Sequence, residues 1–238
     1  QNSPYGMNRL ECRVKEFLLR HKDIIKIDKL FTVKRSIYKV KLPTSLTKDI
    51  CRFLGILHGD GNMSLGRIHI SDKSEIYHKE IIHPLFKKVF GLKLNLFYDK
   101  NRNSYYSYIK SSIIRRVLTE IFEVPEGAIR VKLYIPKYLK TTSIYLKAAY
   151  LSGIVDAEGH ISKRQAEINI STTCEDLFKF IKVFLKEIHV KYSIYIRNRR
   201  KNKEYEIYIY GKMNIKNFVK FVKIKHPDKL LRLNKFFL

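Results

Sequence analysis

Two acidic side chains, Asp60 and Glu158, stand where selection for stability alone would not put them. Each closes an apolar run and is followed at once by glycine. Residues 53–61 read Phe-Leu-Gly-Ile-Leu-His-Gly-Asp-Gly, and residues 151–159 read Leu-Ser-Gly-Ile-Val-Asp-Ala-Glu-Gly. Both runs have helical composition, and glycine just past a helix is expected as a left-handed C-terminal cap. That places both carboxylates in a last turn, where the helix dipole disfavours an anion by a few tenths to about 1 kcal/mol. A single such acid reads as a solvated surface group. The same placement twice, in a strongly basic chain, points to two acids brought together over a nucleic acid.

The elements that must position them are two helices. Gly55 and Gly59 lie four residues apart, as do Gly153 and Ala157, so each run has one face almost without side chains. Such faces let helix backbones approach closely. Packed on each other, the two helices converge at their C-terminal ends and Asp60 approaches Glu158; packed in separate cores, they do not.

The partner class follows from charge. The 238 residues carry 48 Lys and Arg against 22 Asp and Glu, a net +26, and this field attracts polyanions, nucleic acid first. No run of 18 apolar residues exists, so a membrane is not an expected partner. Structural RNA would fit the charge equally well. Cys12, Cys51 and Cys174 are isolated, with no Cys-x-x-Cys pair; they read as reduced, without a disulfide framework or zinc. The start lacks an apolar signal segment, and Met7 is a candidate native start. The expected location is intracellular, in a prokaryotic cytoplasm or an organelle matrix.

The repeat extends past the helices. Arg67 to Ser71 and Glu167 to Ser171 both alternate strictly, with Ile68, Ile70, Ile168 and Ile170 on one face, the period of a half-buried strand. Each half then shows a capping-box pattern, Asp72 with Glu75 and Thr172 with Glu175. Helices to about residues 90 and 190 follow, then strands over 93–100 and 104–110, and over 192–199 and 204–211. Helices over 112–122 and 214–223 close the halves. The fold class is therefore α+β, a duplicated α-β-β-α-β-β-α unit. Residues 1–45 are a basic N-terminal extension with a helix over 9–21 and a strand over 36–42. The first subdomain spans 46–127, a linker 128–140, and the second subdomain 141–238, ending in a short helix.

Four strands per half leave one sheet face open. On the 192–199 strand, Ser193, Tyr195, Arg197 and Arg199 share that face while Ile194 and Ile196 are expected in the core. Candidate nucleic-acid contacts are Arg67, His69, Lys93, Asn95 and Lys110 in the first half, and Asn169, Tyr195, Arg197 and Tyr208 in the second. Basic hairpin tips add Lys100 and Arg102, then Arg199, Arg200, Lys201 and Lys203. Lys163 and Arg164 lie in a further turn. A β-ribbon fits the major groove, where such side chains read base edges, while Lys and Arg at the tips grip phosphates.

The paired motifs, the repeat and the charge resemble the LAGLIDADG homing endonucleases, over roughly residues 47–229. Residues 151–159 match the family motif closely and 53–61 more loosely. The resemblance is to the single-chain, two-motif, intron-encoded kind; Gln1 and Leu238 do not fit intein splicing signals. It implies a pseudo-twofold helix pair, two antiparallel sheets forming a DNA-binding saddle, and a monomer. It implies Mg²⁺, with Mn²⁺ as a substitute, held by Asp60 and Glu158 with help from the Gly59 and Ala157 carbonyls. The implied activity is a staggered double-strand cut with 3′ overhangs in a long asymmetric target, serving intron mobility. The family carries a basic residue beside each centre; in the first half it falls on Lys73. The second-half equivalent is Thr173, so either another basic residue such as Lys163 or Arg164 substitutes or one strand is cut more slowly. His58 occupies the place of Asp156, and both read as structural. An RNA maturase acting on intron RNA, or an inactive DNA-binding regulator on the same fold, are the alternatives.

Overall fold

The computed structural model describes residues 9–33, 36–64, 66–199 and 202–237. Leu10, Val14 and Phe17 recur along one face of α1 (Arg9–Arg20) and are buried, as helical spacing requires. A hairpin follows, β1 (Ile24–Ile27) and β2 (Leu30–Val33), turning at Asp28 with a φ of 54°. The strand expected over 36–42 is displaced to this hairpin. Of that stretch, Val40 bridges Phe31. The hairpin strands are short and apolar on both faces, so they carry no period-two signal.

The first unit begins with α2 (Lys48–Asp60), capped by the Thr47 side chain, and passes directly into β3 (Gly61–Ser64) and β4 (Arg67–Asp72). The next helix is continuous but of mixed pitch: α3 (Glu75–Tyr77), a π-turn at His78–Ile82, and α4 (His83–Phe90). Strands β5 (Asn95–Asp99) and β6 (Ser104–Ile109) lead to α5 (Ser112–Arg116), which runs on through a second π-turn at Val117–Ile121. The expected linker is structured, with β7 (Gly127–Ala128), α6 (Ile129–Lys132) and α7 (Lys137–Lys140). The second unit repeats the order: α8 (Ile144–Glu158), β8 (Gly159–Ile161), β9 (Glu167–Thr172), α9 (Glu175–Glu187), β10 (Ser193–Arg199), β11 (Asn202–Tyr210) and α10 (Lys212–Phe221). A terminal helix, α11 (Pro227–Asn234), follows.

Both sheets are antiparallel, ordered β5-β6-β4-β3-β7 and β10-β11-β9-β8. The first gains its fifth strand because β7 pairs with Asn62 and Met63. Ile68, Ile70, Ile168, Ile170, Ile207 and Ile209 turn to the helix layer and are buried, and the opposite faces are open. The alternation read from the sequence holds on the inner strands and breaks on the edge strands, at Tyr98 of β5, 39% exposed, and on β10. There Ile194 and Ile196 face the helix side yet are 37% and 56% exposed. β10 is the edge strand of its sheet and reaches beyond the cover of α9, so period alone does not bury them.

The helix starts are corrected by two residues. Ser74 and Cys174, not Asp72 and Thr172, are the N-caps, accepting from the Tyr77 and Leu177 amides at 3.3 Å each. Asp72 and Thr172 instead accept from the Ser74 and Cys174 amides, at 2.6 and 3.1 Å, forming side-chain turns just upstream of each cap. Glu75 and Glu175 pair outward with Lys79 and Lys179.

At the centre, α2 and α8 cross backbone to backbone. A Cβ on Gly55 would strike the Tyr150 carbonyl and lie 3.0 Å from Gly153 Cα. One on Gly153 would strike the Arg52 carbonyl and lie 2.7 Å from the Ile56 nitrogen. In an ordinary helix interior Gly→Ala stabilises by roughly 0.5–1 kcal/mol; here the sign must reverse. Gly55→Ala and Gly153→Ala are each expected to destabilise by about 1–3 kcal/mol or more, as overpacking does. Denaturant unfolding checks this, with Leu19→Ala, at a site 73% exposed, expected within about 0.5 kcal/mol of the parent.

Candidate active site

The helix crossing brings the two acid-bearing turns together. One turn beyond the glycine contact, a Cβ on Gly59 would strike Ala157 Cβ and lie 3.2 Å from Glu158 Cγ. The stems of Asp60 and Glu158 therefore share one corner of the interface, and both residues are half-buried. The glycines after them do not take the left-handed conformation expected. Gly61 has φ −90° and ψ 155°, and Gly159 φ −70° and ψ 139°, both extended. Glycine is required for space instead: a Cβ on Gly61 would collide with the Leu57 carbonyl, and one on Gly159 would lie 2.5 Å from the Val155 carbonyl. Each helix thus turns into its strand with no intervening residue.

Two buried polar crosslinks lock the pair. Arg52 binds Asp156 across the interface, and His58 Nδ1 shares a 2.8 Å hydrogen bond with the Tyr150 hydroxyl. Under the repeat, position 52 corresponds to 150 and position 58 to 156, so the crosslinks are related by the pseudo-twofold. One is ionic and the other neutral. Asp156 is fully buried and also accepts from the Lys225 and His226 amides at 2.8 and 3.0 Å, which satisfies a charge that burial would otherwise penalise heavily. Burial lowers the His58 pKa to about 3, so the imidazole is neutral. Both residues are structural, as their positions in the motif suggest.

Sequence reasoning missed Lys229. From the first turn of α11 its Nζ donates to the carbonyls of Val155, Asp156 and Ala157, at 3.1, 2.5 and 2.8 Å. It caps the last turn of α8, where a cation is favoured by the dipole. Burial pushes its pKa down, while Asp60, Asp156, Asp72 and Glu158 act to raise it. This lysine therefore sits among the carboxylates. Its carrier segment is held by Arg52, which donates to the Lys223 carbonyl at 2.8 Å, and by Ser152 Oγ, which accepts from the Lys223 amide at 2.8 Å. His226 stacks on Tyr77 with centroids 4.5 Å apart and lies 3.3 Å from Asp72 Oδ1. Nothing in the sequence separates Lys229 from the other basic residues, because its role depends on where α11 docks.

Lys73 is exposed in the turn between β4 and α3, while its neighbour Asp72 reaches inward to His226. Lys163 and Arg164 are exposed in the β8–β9 turn, and Thr173 is exposed as well. The Ala157 carbonyl accepts from Lys229 and retains a second lone pair. The donor set that converges is two carboxylates with main-chain carbonyls nearby, all hard oxygen. Among the described residues no cluster of three or more His, Cys, Asp and Glu could hold a metal ion. Such a sparse oxygen site suits a cation that keeps waters and takes phosphate oxygens, as Mg²⁺ does.

The open sheet faces collect the other candidates. In the first sheet Arg67, His69, Asn95 and Tyr108 share the face, and Phe97, Arg102 and Tyr106 complete a cavity of about 510 Å³ with Asp99. The Arg67 guanidinium lies 5.8 Å from the Tyr108 ring centre, and Arg102 donates to the Tyr106 hydroxyl at 3.4 Å. Burial, then Arg67 and Arg102, hold His69 below its ordinary pKa. In the second sheet Asn169, Tyr195, Arg197 and Tyr208 share the face. Lys93, Lys100 and Lys110 are exposed around the first sheet, and Lys203 is exposed near the β10–β11 turn on the helix side. Arg200, Lys201 and the Arg199 side chain lie outside the described residues.

A family model described as a LAGLIDADG-like domain matches residues 146–223. The homing endonuclease I-ApeI of Aeropyrum pernix is 24% identical over 152 residues, 62% of this chain and 67% of that protein. A protein of Methanocaldococcus jannaschii named probable translation initiation factor IF-2 is 27% identical over 187 residues. That match takes in 75% of this chain but 15% of that protein. The chain thus spans less than a fifth of the length of the curated relatives it matches first. Among solved structures, I-DmoI in complex with DNA and Mn superposes with a TM-score of 0.56 at 19% identity, covering 76% of this chain and 99% of that one. The N-terminal LAGLIDADG domain of DUF199/WhiA superposes at 0.55 with 14% identity, covering 99% and 100%.

The buried histidine predicts acid sensitivity. His58 titrates near 3 in the folded chain and near 6.5 unfolded, so the unfolded state binds the extra proton between those values. Stability is complete above pH 6.5 and falls as the pH is lowered, by up to about 1.4 kcal/mol per unit from this group. Burial shifts His69, His78 and His83 in the same direction. Denaturant unfolding from pH 7 to pH 4 is expected to show this loss, and His58→Phe with Tyr150→Phe to flatten the slope.

Proposed function

We infer, from the premise that this chain belongs to the LAGLIDADG family, that it is a site-specific double-strand DNA endonuclease of the homing type. The observation that carries the reading is the convergence of Asp60 and Glu158 at two crossed helix ends that lead straight into strands with open polar faces. In this reading the two sheets lie in the major groove, basic side chains grip phosphates, and the polar faces read base edges. Asp60 and Glu158, with the Gly59 and Ala157 carbonyls beside them, would hold Mg²⁺ or Mn²⁺ at the scissile phosphates. The chemistry a divalent cation supplies there is Lewis acidity toward phosphate and water. Lys229 fixes the end of α8, and with it Glu158, and offsets carboxylate charge until the cation enters.

One acid from each half assigns one strand to each, which gives a staggered break with 3′ overhangs. The halves differ in sequence, so the target is asymmetric and the chain acts as a monomer. A module matched within longer proteins of other named activity supports a mobile element, and in this reading an intron encodes it. A regulator that only binds has no need of acids at the helix ends. An RNA maturase keeps the basic surface and makes intron RNA the partner instead. Both ideas place the protein inside the cell.

Purified protein is expected to cut an intronless insertion site in Mg²⁺, leaving 3′ overhangs. Asp60→Asn and Glu158→Gln should each abolish cleavage while binding persists. Without metal both variants should bind more tightly than the parent, because two carboxylates beside a phosphate repel it. Gel-shift and cleavage assays on one duplex separate these effects. Cleavage unchanged in both variants refutes the site; tight binding to intron RNA with no cut in any duplex favours the maturase.

A further inference from the structure

The open face of the second sheet carries charge of the wrong sign for a surface that meets phosphate. Glu167 on β9 and Glu204 and Glu206 on β11 share that face with Arg197. Register sets Glu206 between Tyr195 and Ser171, Glu204 opposite Arg197, and Glu167 opposite Tyr210. The corresponding face of the first sheet is cationic, with Arg67 and Arg102 around the 510 Å³ cavity and Asp99 as its acid.

Glu206 is the informative one. It is 6% exposed, so its carboxylate is set in the face, not waving above it. Tyr208 donates its hydroxyl to Oε2 at 2.9 Å, and Arg197 pairs with the same oxygen at 3.1 Å. Both contacts converge on one oxygen, which fixes the rotamer, and the second carboxylate oxygen is a further acceptor. A carboxylate is acceptor-only. In the major groove the groups that reward it are the exocyclic amino donors, cytosine N4 and adenine N6; guanine offers two acceptors there, and thymine an acceptor with a methyl group. Arg67 and Arg102 have the opposite chemistry. Guanidinium forks are donor-only, and their match is guanine O6 and N7.

We propose that the two sheets read opposite hydrogen-bond polarity. Glu206 selects a cytosine or adenine amino group in the half-site beneath the second sheet, and Arg67 selects guanine in the half-site beneath the first. This rests on the DNA-binding reading above and deepens it, since it names what each half of the target presents. It also gives Glu206 a role in a face whose Coulomb interaction with phosphate is repulsive. The amino donor it meets must be one that the duplex leaves free, and the edge facing the major groove leaves it free.

The test is a binding selection from a randomised duplex library, without divalent metal so that nothing is cut, using the full chain and two variants, Glu206→Gln and Arg67→Ala. The wild-type consensus is expected to hold cytosine or adenine at one position of one half-site and guanine in the other half. Glu206→Gln, which keeps an acceptor for Tyr208 and Arg197 but adds a donor, should relax the first position by roughly tenfold to a hundredfold, the range of one good base contact. The guanine half should be untouched. Arg67→Ala, at an exposed site, should do the reverse. If the wild type prefers guanine at the position Glu206 controls, Arg197 is the reader and Glu206 only its anchor, which overturns the proposal. A Glu206→Gln consensus identical to the parent overturns it as well. If no duplex is enriched by the wild type, the DNA-binding reading itself fails, a distinct result.

Discussion

Contact between two helix backbones, with no side chain between them, is the constraint on which the site depends. Gly55 and Gly153 admit the Tyr150 and Arg52 carbonyls where a methyl group would not fit. Were the helices one side chain farther apart, Asp60 and Glu158 would no longer share a corner. The approach is costly: glycine loses up to about 1 kcal/mol of helix propensity at each position, and close backbones shed water. Apolar burial on both flanks offsets this. Phe53, Leu54, Ile56 and Leu57 on α2, and Leu151, Ile154 and Val155 on α8, are all almost completely buried, each worth about 1.5–3 kcal/mol on transfer from water for the larger side chains. The acidic corner is therefore held by a hydrophobic core that surrounds it, not by the acids themselves.

The two crosslinks explain how the pairing stays between unlike halves. Arg52 meets Asp156 and His58 meets Tyr150, and each link joins equivalent positions of opposite copies. A pair of first-half helices would set Arg52 against His58, a buried cation with no acid to meet it. A pair of second-half helices would set Tyr150 against Asp156, a buried carboxylate with no cation. An uncompensated buried charge costs several kcal/mol. The mixed pair alone closes both links. Duplication supplied the symmetric frame, and divergence at these four positions made it select its own other half.

Much of the fold is legible in the sequence because its signals are local. Isoleucines at period two mark β4 and β9, apolar helical runs mark α2 and α8, and glycine spacing marks the face on which they meet. What the sequence hides depends on tertiary position. Ile194 and Ile196 alternate as core residues do, yet lie on an edge strand and stay 37% and 56% exposed. Gly61 and Gly159 look like left-handed caps and are instead extended, because the next residue must enter a strand and a Cβ would meet the carbonyl four residues back. The caps at Ser74 and Cys174 sit two residues past the Asp72 and Thr172 that pattern alone favours. Cysteine is a weak acceptor seldom expected there, so its role follows from the duplication rather than from its chemistry. The paired acids were legible; the lysine that serves them was not.

That lysine answers the question the acids raise. A carboxylate at a helix C-terminus opposes the dipole, and two together oppose each other. Around this corner Asp156 is matched by Arg52 and Asp72 by His226. Lys229 is placed on the three carbonyls that carry the negative end of α8, so it cancels the dipole at its source and lies within the field of Asp60 and Glu158 at once. Among the described side chains the two halves differ in this respect. The end of α2 packs against α6 and β3, and Lys132 at the end of α6 is exposed. Among the described side chains, the support of the corner comes through Lys229 on the α8 side.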